Sequence, residues 1–73
     1  MRFLVRERLA PFMRWLSLRG IDYRSGQTPR QMLQVRLGGA WHVLHSSRDH
    51  PLHGKAVGLL GEEVSLFLAE RND

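Results

Sequence analysis

The 73-residue sequence predicts an α+β fold made of an N-terminal helix, an antiparallel β-hairpin or three-stranded sheet, and a C-terminal helix. Three observations carry that expectation: two apolar runs flanking Gly38-Gly39, apolar residues at helical spacing from Leu9 to Leu16, and a second helical pattern from Leu60 to Arg71. A chain of this length makes one domain, residues 1–73, and buries only about 60% of its unfolded surface, so it has little volume for a deep pocket.

Leu9, Phe12, Met13 and Leu16 fall on one helical face, which Trp15 and Leu18 widen, while Arg14 and Arg19 lie off it. Pro11 is tolerated in a first turn, where its missing N–H costs nothing. Gly20 suits the left-handed position after a helix cap and lets Ile21 fold back on Leu16, so the helix is predicted over about Arg8 to Arg19. Ahead of it, Arg2 to Arg6 alternate charged and apolar residues, a pattern open to an edge strand, a helical extension or an arm ordered on binding. Behind it, Ile21 to Arg24 leave room for a short strand before the turn-rich Ser25-Gly26-Gln27-Thr28-Pro29.

In the hairpin, Met32 to Leu37 and Ala40 to His45 are antiparallel neighbours, and a slip of one residue would exchange their faces. With Gly38-Gly39 as a two-residue turn, Arg36 opposes Trp41 and Val35 opposes His42, which puts a histidine on the inner face and leaves the tryptophan outside. With Leu37-Gly38-Gly39 as a three-residue loop, Val35 opposes Trp41 and Leu33 opposes Val43, which gathers the large apolar groups. The second register is the one expected, with Met32, Gln34, Arg36, His42 and Leu44 on the outer face. Ser46 to Pro51 reads as loop. Gly58 and Gly61 each cost about 1 kcal/mol inside a helix, so the last helix is expected to begin near Gly61. Ala56 to Leu60 then reads as a third strand or as helix. The resulting order, α-β-β-(β)-α with both helices on the inner sheet face, resembles the double-stranded-RNA-binding and HicA-toxin folds in element order alone, and the Gly-Ser-His stretch of HicA toxins has no counterpart here.

The absence of cysteine excludes disulfides and thiolate metal sites and permits a reducing cytosol. No run of 18 apolar residues exists, and charge interrupts MRFLVRER too early for a signal peptide. Ten of the 11 basic residues are arginine. Residues 1–36 hold eight Arg against Glu7 and Asp22, net +6, whereas residues 37–73 hold Arg48, Lys55 and Arg71 against five acids, net −2. The first half therefore presents a positive field suited to phosphates or carboxylates, although a GC-rich genome gives the same arginine bias.

Four histidines lie between His42 and His53 in two HxxH pairs, but on a strand His42 and His45 point to opposite faces and only Asp49 is close, so no metal and no cofactor are expected. Ser46, Ser47, His45 and Asp49 supply nucleophile, base and acid types but crowd one loop, where a triad draws on separate elements, so no catalysis is expected. Nucleic-acid binding is the competing reading: Arg2, Arg6, Arg8, Arg14, Arg19, Arg24, Arg30 and Arg36 are available to phosphates, and Trp41 or Tyr23 to a base if exposed. No RNP, KH or helix-turn-helix pattern accompanies them.

Taken whole, from MRFLVRERLAPF through QVRLGGAWHVLHSS to SLFLAERND, the chain resembles the small early regulators of lytic bacteriophages that bind host RNA polymerase, in size, initial Met, lack of cysteine and arginine content. The resemblance implies a non-enzymatic protein of the host cytoplasm that binds the β′ N-terminus and the β flap, hinders initiation by displacing σ and also antiterminates. It carries no motif and so brings no binding residues with it. Charge and the mixed outer face nominate Arg2, Arg6, Arg8, Met32, Arg36 and His42 as partner-binding residues. A stand-alone basic DNA- or RNA-binding module is the second reading and a toxin- or antitoxin-like module the third.

Overall fold

The computed structural model describes residues 2–46 and 53–71. Its elements are β1 (Arg2–Val5), a 3-10 turn (Arg6–Arg8), α1 (Leu9–Leu18), β2 (Tyr23–Ser25), β3 (Gln31–Leu37), β4 (Ala40–Ser46), β5 (His53–Ala56) and α2 (Gly58–Arg71). The expected α+β class and the two terminal helices are present. The sheet is larger than expected, with five antiparallel strands in the order β1-β5-β4-β3-β2. The alternation at the N-terminus resolves as an edge strand, and the segment after α1 supplies the other edge. One edge strand, β1, pairs with a partner remote in sequence, Arg2 with Ala56, which local periodicity does not reveal, whereas the other, β2, pairs with the strand that follows it, Tyr23 with Val35.

α1 ends as its sequence predicts. Gly20 takes φ 73°, the Gly20 N–H donates to the Ser17 carbonyl at 3.0 Å, and the Ile21 N–H donates to the Leu16 carbonyl at 2.9 Å, which is the Schellman arrangement. α2 begins earlier than expected. Gly58, at φ 64°, turns the chain out of β5, and the Gly61 N–H donates to the Val57 carbonyl at 3.3 Å. Gly61 is therefore held inside the first turn, and Leu60, one residue before it, is fully buried. The expected strand across Ala56 to Leu60 stops at its first residue.

The hairpin register is the one the sequence reading disfavoured. Gly38 and Gly39 form a two-residue turn with φ of 59° and 80°, the positive pair whose twist matches that of the flanking strands. Arg36 opposes Trp41, Val35 opposes His42, Gln34 opposes Val43 and Leu33 opposes Leu44. Two features offset the histidine that this register turns inward. His42 is only half-buried, and its Nε2 lies 3.2 Å from the Leu37 carbonyl oxygen, to which an Nε2–H donates. Beyond Leu33 a bulge at Met32 resets the pairing, so that Gln31 opposes His45.

Both helices cover one face of the sheet. α2 lies across β1, β5, β4 and β3, and α1 packs beside it. The core joins Leu4, Phe12, Leu16, Leu33, Val35, Leu44, Ala56, Leu60, Val64 and Phe67. Between the helices Phe12 and Phe67 meet edge to face at 5.1 Å, and Trp15 meets Phe67 at 5.7 Å. The Trp15 indole N–H donates to the Glu70 carboxylate, tying the end of α2 to α1. The opposite face of the sheet has no layer over it among the described residues.

Candidate binding surface on the open sheet face

Strand alternation and the observed register decide what the uncovered face carries. Leu4, Ala56, Leu44, Leu33 and Val35 point to the helices, so Phe3, Lys55, His45, Val43, Trp41, Gln34, Arg36 and Arg24 point away. Phe3 stands opposite Lys55, and Lys55 opposite His45, giving one row across three strands. A second row runs from Val43 through Gln34 to Arg24. Phe3 is 46% and Trp41 38% exposed.

Carboxylates are kept out of the strands, while cations occur on both sides of the fold. The five strands contain Arg2, Arg24, Arg36 and Lys55 and no Asp or Glu. Of the described acidic residues, Glu7 lies in the 3-10 turn, Glu62, Glu63 and Glu70 lie on α2, and Asp22 stands just ahead of β2, where its backbone carbonyl accepts the Arg36 N–H at 2.9 Å. Among the described residues the one ion pair is Arg19 with Glu63 at 3.9 Å, away from the sheet face.

Arg24 is the most tightly placed cation on the face. Its Nε donates to the Gln34 Oε1 at 2.5 Å, and its guanidinium lies 4.0 Å from the Trp41 ring centroid. Gln34 is 4% exposed, and both ends of its amide are bonded: Oε1 accepts from Arg24, and Nε2 donates to the Gln31 Oε1 at 3.0 Å. That oxygen also accepts the Gln27 N–H at 3.0 Å, so the turn before β3 anchors the chain of bonds that orients Arg24. Across the sheet, Lys55 Nζ lies 5.9 Å from the Phe3 ring. Each exposed ring thus has a cation beside it.

The nominated residues divide. Arg36 lies on the open face and is exposed. Arg6 and Arg8 lie in the 3-10 turn between β1 and α1, with Arg6 exposed and Arg8 half-buried, and Arg2 pairs with Ala56 at the sheet edge. Met32 and His42 do not belong to the outer face. The bulge turns Met32 against the core, where its Sδ would lie 3.0 Å from a Cβ placed on Gly54. His42 faces the helical side opposite Val35, and Leu44, also expected outside, is fully buried. The one-residue difference in register accounts for His42 and Leu44, and the bulge accounts for Met32. Arg24 and Trp41 enter only through the nucleic-acid reading and Lys55 and Phe3 through none, and two legible signals mark them: the lack of acidic residues in every strand-forming stretch, and the tight turn that Gly38-Gly39 permits.

His50 and the Ser47–Asp49 stretch lie outside the described residues. Among the described residues no group of three His, Cys, Asp or Glu gathers to hold a metal ion, and no helix is long and apolar enough to cross a membrane. On the helical side a shallow groove of about 110 Å³ is lined by Pro11, Arg14, Trp15, Leu18 and Phe67. That is below the roughly 300–1,000 Å³ of small-molecule sites.

Compared with protein-family models, with curated proteins and with solved structures, the chain has no match.

Proposed function

We propose that this is a binding protein without catalytic activity, which works by laying the open face of its sheet on an anionic macromolecule. The observation that supports this reading is a sheet face with cations and no carboxylate: Arg24, Arg36 and Lys55 share it with the exposed rings of Phe3 and Trp41, and no strand holds an acid. Such a face steers an anionic partner towards itself and gives it apolar area on arrival.

A second, finer reading follows from the resemblance to phage regulators: the partner is host RNA polymerase, bound at the β′ N-terminus and β flap, and the outcome is inhibited initiation with antitermination. The apolar part of the face, Phe3, Val43 and Trp41, gives a protein partner of this kind apolar area to bury.

Affinity capture from nuclease-treated bacterial lysate tests both readings, with the parent chain run beside an Arg24→Glu/Arg36→Glu variant. Retention of RNA polymerase subunits by the parent and their loss from the variant is the result expected of the finer reading. Equal capture by parent and variant removes the sheet face from the interface.

A further inference from the structure

The geometry points to single-stranded nucleic acid as the ligand of the open sheet face, with Trp41 and Phe3 as separate stacking positions and Arg24 and Lys55 as the cations beside them. This inference rests on the reading of that face as an anion-binding surface and narrows it to one class of ligand.

A duplex presents a charged, convex backbone and hides its bases, so a groove or a protruding element serves it better than a flat sheet. An unpaired strand offers phosphates and exposed base faces together, and proteins that bind it without sequence preference combine cations with aromatic platforms. This face has both, and it pairs them. Arg24 lies over Trp41 at 4.0 Å, and Lys55 lies 5.9 Å from Phe3. Phe3 is two strands from β4, and Trp41 is four residues along β4 from His45, which shares the Phe3 row. At about 4.8 Å between strands and about 3.4 Å per residue, the two ring positions are roughly 16 Å apart, with Val43 and His45 between them. That span suits a strand crossing the sheet diagonally and stacking at its two ends.

Arg24 is also held in advance. Gln34, 4% exposed, accepts from Nε and is itself fixed by Gln31. The guanidinium therefore keeps its outer N–H groups for an incoming phosphate, and, seated over one face of the Trp41 ring, it offers its own plane as a further layer on which a base can stack. An acidic protein surface would use the cations equally well but has less need of flat rings paired with them.

Fluorescence anisotropy of the full chain with a labelled oligo-dT of about 12 nucleotides tests the inference against a duplex of equal length and a heparin fragment, first at about 50 mM salt and then at rising salt. The oligonucleotide should bind several-fold more tightly than duplex or heparin. Trp41→Ala should weaken it about tenfold, the scale of one lost base stack. Trp41→Phe should restore most of the affinity, and circular dichroism should show both variants folded. Arg14→Gln, on the helical side, should leave affinity within about twofold, a shift of the size one non-contacting charge makes.

Equal affinity for all three polyanions, or indifference to Trp41→Ala in a folded variant, overturns the inference while leaving the face an anion-binding surface, as an acidic protein partner would require. Failure to bind any polyanion at low salt overturns the inference and the broader reading together.

Discussion

Leu44→Ala and Val43→Thr, made separately, discriminate between the two hairpin registers on which every assignment of faces depends. Leu44 is fully buried, opposes Leu33, and its Cγ and Cδ1 would lie 3.1 and 3.3 Å from a Cβ on Gly54, so it packs directly on the backbone of β5. Truncating such a leucine costs about 2–5 kcal/mol, set by how far the site collapses. Met32 reaches the same spot with a flexible thioether, which places the expected loss near 3 kcal/mol. Against a total stability of about 4–11 kcal/mol for a chain of this length, that lowers the melting temperature by about 10 °C or more. Val43 faces outward and is half-buried, so threonine there should cost less than about 1 kcal/mol. Urea unfolding followed by far-ultraviolet circular dichroism measures both. In the three-residue register the order inverts, because Val43 would oppose Leu33 in the core, where a buried hydroxyl costs about 1–3 kcal/mol, and Leu44 would be exposed. A costly Val43→Thr with a near-neutral Leu44→Ala would refute the face assignment and the binding surface with it.

Other substitutions probe the parts that shape the same face. Gly54→Ala should destabilise by about 1–3 kcal/mol in the same urea assay, because the added methyl meets Met32 and Leu44 at 3.0–3.3 Å. In the turn, Gly38→Asn should stay within about 0.5 kcal/mol of the parent, since Asn-Gly suits two positive φ angles, whereas Gly39→Ala at φ 80° should cost about 1 kcal/mol. Arg19→Gln removes an ion pair at 3.9 Å together with a guanidinium 4.7 Å from the Trp15 ring centroid and should destabilise by about 0.5–1 kcal/mol. A double-mutant cycle of Arg24→Ala with Trp41→Ala should give a coupling of about 0.5–1 kcal/mol, and zero coupling would separate the guanidinium from the ring.

The helices were legible because their signals are local. The apolar stripe from Leu9 to Leu16 and the Gly20 stop define α1 almost to the residue, and Leu60, Val64 and Phe67 mark the buried face of α2. The sheet was legible in its central hairpin and, as one option, in the short strand before it, whereas β1 owes its strand character to β5, far along the chain. Register failed for a specific reason. Collecting Trp41 with Val35 looked the better core, yet a half-buried histidine bonded to the Leu37 carbonyl at the sheet margin is tolerable, and the backbone preference of Gly38-Gly39 decided the turn. The candidate site inherited that slip at His42, and the unforeseen bulge misplaced Met32. Arg36 was placed on the open face correctly, Met32 and His42 were not, and the Arg24–Trp41 pair emerges only when β2 is known to lie beside β3. The strands' lack of carboxylates, by contrast, was in plain sight in the sequence once their bounds were known.

The two tryptophans report on opposite sides of the fold, Trp41 on the open sheet face and Trp15 between the helices, so their indole N–H resonances offer the most direct test of where a partner binds. In a ¹⁵N-labelled sample titrated with oligo-dT, the Trp41 Nε1–H signal should move together with the Arg24 and Lys55 amides while the Trp15 Nε1–H, bonded to Glu70, stays in place. Movement of Trp15 with Trp41 unchanged would put the interface on the helices and contradict the account.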